Sequence, residues 1–191
     1  MRPTTSIPTK YAGVQFRSRL EARWAAFFDL AGWSWEYEPS DYAGWTPDFA
    51  LLGAKSVTLV EVKPINWPLT HQGMSEEALR RSDLLKTRGD VEGGHEVLIL
   101  GAYPVINGIG SWAEPVLGLL FNSLDFGPEA DIALIWDGPD STLDFAAALG
   151  SYRHRMSGLH DGDHHLRPVE RDTVQHLWGL AASRVQWRLG Q

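Results

Sequence analysis

Apolar residues recur at three- and four-residue steps from Phe16 to Ala31: Phe16, Leu20, Trp24, Phe27 and Leu30–Ala31. That is the period of an amphipathic helix, and Gly32 ends it. Ser34–Glu38 alternates polar and aromatic residues, which predicts a strand stopped by Pro39. A loop rich in Asp, Tyr, Gly and Trp follows over 40–46. Two strands are then expected, Asp48–Leu52 and Val57–Lys63, split by the turn Gly53–Ser56. Pro64 and Pro68 bracket a break. Ser75 caps a polar helix that runs to about Thr87, with Gly89 near its end. His95–Leu100, Val116–Phe121 and Ile132–Trp136 read as further strands. Past Asp137-Gly138-Pro139 the composition shifts, and helices are predicted near Ser141–Met156 and Val169–Trp187, joined by a polar loop over Ser157–Pro168. The first ten residues, with Pro3 and Pro8, read as an irregular arm. The pattern predicts an α/β core over 1–137 and a helical annex over 138–191 packed on it.

Composition narrows the chemistry. The chain has 191 residues, 43% of them hydrophobic, enough for one domain with a proper core. No apolar run approaches a membrane span, and Met1–Ser6 lacks the apolar segment of a signal peptide, so a cytoplasmic protein without membrane association is expected. The absence of cysteine excludes disulfides, thiolate–zinc sites, iron–sulfur clusters and thiol nucleophiles together. A net charge of −7 argues against a whole-surface grip on nucleic acid. It leaves room for a local basic strip, or for a metal ion that offsets carboxylates. The nine tryptophans supply core area or stacking surface.

One constellation carries chemistry. If Gly53–Ser56 is a four-residue hairpin loop, Leu52 pairs with Val57 and Asp48 falls opposite Glu61. Residues directly across an antiparallel pair share a face, ~5 Å apart at Cβ. Glu61 and Lys63 share a face because they are two apart. Two carboxylates this close repel, and one is forced to hold its proton unless a cation intervenes. Hard oxygen ligands suit Mg²⁺ or Mn²⁺. A lysine beside a metal-bound water orients it or stabilises charge on a phosphate.

Pro47-Asp48 followed by Glu61-Val62-Lys63 resembles the PD-(D/E)XK nuclease superfamily. Ser18-Arg19-Leu20-Glu21-Ala22-Arg23-Trp24 is similar to that superfamily's first core helix, and the stretch Tyr11–Pro64 resembles small nucleases of phages and high-GC bacteria. The resemblance covers roughly residues 11–103. It implies a restriction-endonuclease-like core, a central mixed sheet flanked by helices. It also implies phosphodiester hydrolysis with Mg²⁺ or Mn²⁺ on nucleic acid, with DNA as the expected substrate. Asp48 and Glu61 would be metal ligands, the Val62 carbonyl a third, and Lys63 the residue that activates water. Glu21 would bind a second ion or hold a water of the first, and the sequence leaves that choice open. A homodimer is an assembly the resemblance allows. Two other readings stand beside it: a nucleic-acid-binding protein that cleaves little or needs a partner, and a metal-dependent phosphatase acting on a small phosphoester.

Other residues have two readings each. Arg17 and Glu21, four apart, form either a helix salt bridge or half of a phosphate contact. Arg19 and Arg23, also four apart, repel unless an anion or acid lies between them, which favours phosphate contact for at least one of them. On the helix over 75–87, Lys86 is the first choice for reaching a phosphate, against a plain solvated face. Tyr42 and Trp45 precede Pro47 and are candidates for stacking on a base. His154, His160, Asp161, Asp163, His164 and His165 form a cluster that either binds zinc or is a flexible connector. Adjacent His164 and His165 rarely converge on one ion, so a connector is expected.

Overall fold

Ser18 starts the first helix. Its hydroxyl accepts from the Glu21 amide at 3.1 Å, and Gly32, at φ +78° in the left-handed region, closes the other end. Between them lies α1, Arg19–Ala31. In the computed structural model, described over residues 6–41, 44–66, 95–107, 114–121, 131–139, 142–148, 153–160 and 169–186, two short strands precede it: β1 (Thr9–Tyr11) and β2 (Val14–Phe16). They form an antiparallel hairpin about Ala12-Gly13, both at positive φ. The arm expected to be irregular is thus paired from Thr9 onward. Phe16, read as the start of the helix, instead ends β2 and is fully buried. Its ring lies 4.5 Å from Tyr37 and 6.0 Å from Phe49, so tertiary contacts rather than helical period explain why it is apolar.

The remaining strands are β3 (Trp35–Tyr37), β4 (Phe49–Leu52), β5 (Val57–Val62), β6 (Glu96–Asn107), β7 (Glu114–Phe121), β8 (Asp131–Asp137) and β9 (Leu143–Ala147). They form one seven-stranded mixed sheet in the order β3-β4-β5-β6-β7-β8-β9. Among the described strands of this sheet only β5 and β6 are parallel; the other neighbours are antiparallel. The protein is α/β, as the sequence predicts. The hairpin register is also the predicted one: Leu52 faces Val57 and Phe49 faces Val60.

The helix expected over Ser141–Met156 is corrected. Leu143–Ala147 is a strand paired with β8, so the sheet continues past residue 137. The polar-looking Asp144 is fully buried because it serves the backbone. Its carboxylate accepts from the amides of Phe145, Met156 and Ser157 at 2.7–2.8 Å. The second predicted C-terminal helix is present as α2, Arg171–Arg184. The helix predicted over 75–87 lies outside the described residues.

Both described helices cover one face of the sheet. Trp24 of α1 and Trp178 of α2 pack at 4.5 Å, over Phe49, Leu51, Val60, Val62, Leu98, Leu100 and Phe145. Ala50, Leu59, Val97, Ile99, Leu119 and Ile132 form a second buried cluster on the opposite face. Burial of this order stabilises by about 25 cal/mol per Å² of apolar surface. Of the tryptophans, Trp24, Trp33, Trp136 and Trp178 are core. The segment 153–160 is fastened to the sheet by a buried two-pronged ion pair from Arg155 to Glu96 at 2.7 and 3.0 Å. Gly53 lets that segment pass close, since a Cβ there would stand 2.0 Å from the Arg155 carbonyl oxygen. No described helix is long and apolar enough to cross a membrane.

Candidate active site

Asp48 stands just before β4 and Glu61 near the end of β5. The ladder from Leu52–Val57 to Phe49–Val60 brings them side by side at one end of the hairpin. Asp48 is buried, and its backbone is pinned where its carbonyl accepts from the Glu38 amide at 3.0 Å. Its Oδ2 accepts from the Val62 amide at 2.7 Å, and its Oδ1 accepts from the Arg17 guanidinium. Glu61 is half-buried. Its Oε1 accepts from Lys63 Nζ at 2.5 Å and its Oε2 from Trp45 Nε1 at 3.1 Å. Every carboxylate oxygen of the pair therefore has one donor and keeps lone-pair capacity for another.

Electrostatics at the pair are tense. Burial pushes the Asp48 carboxyl up, the Glu61 charge adds to it, and the value reaches about 7 although Val62 and Arg17 pull the other way. Burial weighs against the Arg17 charge, but Tyr37, Asp48 and Glu21 outweigh it and hold the guanidinium firmly protonated. The Tyr37 phenol is pushed up to about 12, first by burial and further by its bond to Glu21, so it remains a donor.

Glu21 has a different setting. The Ser18 hydroxyl, which caps the helix, also donates to Glu21 Oε1 at 2.7 Å, and the Arg17 amide donates to Oε2 at 3.2 Å. Tyr37 Oη donates to the same Oε2 at 2.7 Å. Glu21 is close enough to add to the repulsion on Asp48. Among the described residues, however, no group of three His, Asp or Glu side chains is arranged to hold a metal ion. The donor set that fits a cation is the Asp48–Glu61 pair. Mg²⁺ is commonly held by one or two carboxylates and keeps several waters, so two hard oxygen donors in tension suit it.

The other predicted residues divide. Arg17 reaches the site and lies 3.0 Å from Glu38 and 3.9 Å from Glu21. Arg19 is exposed at the start of α1. Arg23 is not brought to the site. Its guanidinium lies 3.9 Å over the Trp178 ring and donates to the Trp178 carbonyl at 2.8 Å, which fastens α1 to α2. Trp45 is half-buried and tied to Glu61, so its indole N–H positions a carboxylate. Tyr42, Lys86, Asp161, Asp163, His164 and His165 lie outside the described residues. His160 bridges to Arg153, and His154 is fully buried with its ring 5.8 Å from Trp136.

Three contributors carry roles that the sequence did not assign. Tyr37 orients Glu21, Ser18 caps α1 by accepting from the Glu21 amide, and Glu38 holds Arg17. The Ser-x-x-Glu spacing is a readable signal for the second. The first and third depend on β3 lying across from the start of α1, which spacing alone does not encode.

Comparison with protein-family models, with curated proteins and with solved structures returns no match.

Proposed function

We propose that the protein is a divalent-metal-dependent nuclease, a DNA endonuclease of the PD-(D/E)XK type with a restriction-endonuclease-like core. The observation that carries this reading is the hairpin register. It sets Asp48 beside Glu61 with Lys63 hydrogen-bonded to the latter. The order α1, β3, β4, β5, with β6 parallel to β5, accords with such a core over the described residues and supports the same reading.

In this account Asp48 and Glu61 hold Mg²⁺ or Mn²⁺, with the Val62 carbonyl as a further oxygen donor. A cation bound there supplies positive charge to the scissile phosphate and makes a bound water more acidic. Lys63, only partly exposed, orients the attacking water and stabilises charge on the phosphate. Val62 holds Asp48 through its amide and Trp45 holds Glu61 through its indole, so both carboxylates present fixed oxygens. Glu21 has its oxygens engaged by Ser18, Tyr37 and the Arg17 amide, which favours a single ion and a structural part for Glu21. Arg19, exposed on the same helix, is the candidate for contact with the phosphate backbone.

The test is incubation of the purified chain with supercoiled plasmid, single-stranded DNA, RNA and a small phosphomonoester, each with Mn²⁺ and with EDTA. The proposal expects metal-dependent DNA cleavage. Turnover of the phosphomonoester alone would support a phosphatase, and binding without cleavage would support a partner-dependent protein.

A further inference from the structure

We propose that Arg17 is the resident counter-cation of the acid pair, that its guanidinium and a divalent ion compete for the same oxygen of Asp48, and that metal binding frees Arg17 for a phosphate. This rests on the metal-site reading above.

The two oxygens of Asp48 differ in how firmly their donors are fixed. Asp48 Oδ2 is held at 2.7 Å by the Val62 amide, a backbone donor fixed in the sheet. Oδ1 is the oxygen whose donor can leave, because that donor is the side chain of Arg17. The Asp48 side chain is 5% exposed and that of Arg17 is 59% exposed. A long mobile side chain thus reaches from solvent into a buried acid, a contact it can leave without disturbing the core. Glu38 steadies the other edge of the guanidinium at 3.0 Å. Glu38 sits at φ +45°, a strained conformation for a residue with a side chain, and its amide bonds the Asp48 carbonyl at 3.0 Å. One strained residue thereby ties together the main chain of Asp48 and the side chain of Arg17.

Charge then forces a choice. Glu21, Glu38, Asp48 and Glu61 face Arg17 and Lys63, so the acids are in excess and a further cation is welcome. A guanidinium and a divalent ion on one oxygen repel each other, so each weakens the hold of the other. The displaced guanidinium would still stand beside the site, with the planar fork that suits phosphate oxygens. Arg17 is then a positioning residue: it holds Asp48 in place before metal arrives and yields on loading.

The test is isothermal titration of Mn²⁺ into the chelator-stripped full chain without DNA, for wild type, Arg17→Ala, Arg17→Lys and Asp48→Ala, with thermal unfolding of each. Asp48→Ala is expected to lose Mn²⁺ binding. Arg17→Ala is expected to bind Mn²⁺ about threefold more tightly, the size of one modest ion pair, while melting lower before Mn²⁺ is added. Arg17→Lys, which keeps the charge but loses the fork, should bind more tightly by a smaller factor and guards against a poorly folded Arg17→Ala. Unchanged or weaker binding by both Arg17 variants, with Asp48→Ala still deficient, overturns the competition and leaves the metal site standing. Absence of Mn²⁺ binding by the wild type overturns both.

Discussion

Asp48 meets two opposing demands: it is buried, and it stands beside another acid. Its carboxyl reaches about 7, first through burial and then through Glu61, against an ordinary 3.8. A folded-state value above the unfolded one means that the folded protein binds the proton more tightly. The stability this group contributes is full below about pH 4 and is lost as pH rises through 7. In EDTA, the melting temperature should therefore fall on this account between pH 5 and pH 8. Asp48→Asn, which cannot ionise, should melt higher than wild type at pH 8 and lose that advantage toward pH 4. Parallel melting profiles for the two proteins would show that Asp48 titrates normally. Lys63 makes a second prediction at this scale. Lys63→Ala should lose cleavage by at least ~10²-fold with little loss of Mn²⁺ affinity, since the lysine is not a ligand. A single-turnover rate equal to wild type would reduce Lys63 to a surface cation. The Asp48–Glu61–Lys63 relation was legible in the sequence because a four-residue loop fixes register, and register fixes which side chains meet. The contact of Arg23 with Trp178 was not legible, because the two lie 155 residues apart and no local spacing announces it.

At the scale of elements, strands with strong alternation or continuous apolar runs were readable, and β9 was not. Leu143-Asp144-Phe145-Ala146-Ala147 contains good helix formers and runs on into Ala148 and Leu149, which reads as helix. What makes it a strand is tertiary: β8 offers a free edge, and Asp144 gathers three amides of its own and the following segment. The same segment supplies Arg155, whose guanidinium is buried against Glu96 at the start of β6. A buried pair of this kind adds little over an apolar pair, but losing one partner strands a buried charge. Glu96→Ala should therefore cost about 3–5 kcal/mol in urea unfolding. A loss below about 1 kcal/mol would mean that the Arg155 charge finds other compensation.

Across the whole molecule, one sheet links the acid pair at the β4–β5 end to the C-terminal segment, and α1 and α2 clamp one face of it. The chain carries a net charge of −7, so attraction to an anionic substrate has to be local. On the proposed function, Arg17, Arg19 and Lys63 beside a divalent ion are the local sources. On the same proposal, two carboxylates set together by a hairpin register hold the metal that cuts DNA. This is tested most directly by following supercoiled plasmid with Mg²⁺ for wild type and for Glu61→Ala, each with an EDTA control. The account predicts nicked and linear products for wild type alone, abolished by EDTA, with the variant folded and inactive. Equal cleavage by wild type and Glu61→Ala, or cleavage that persists in EDTA, would contradict it.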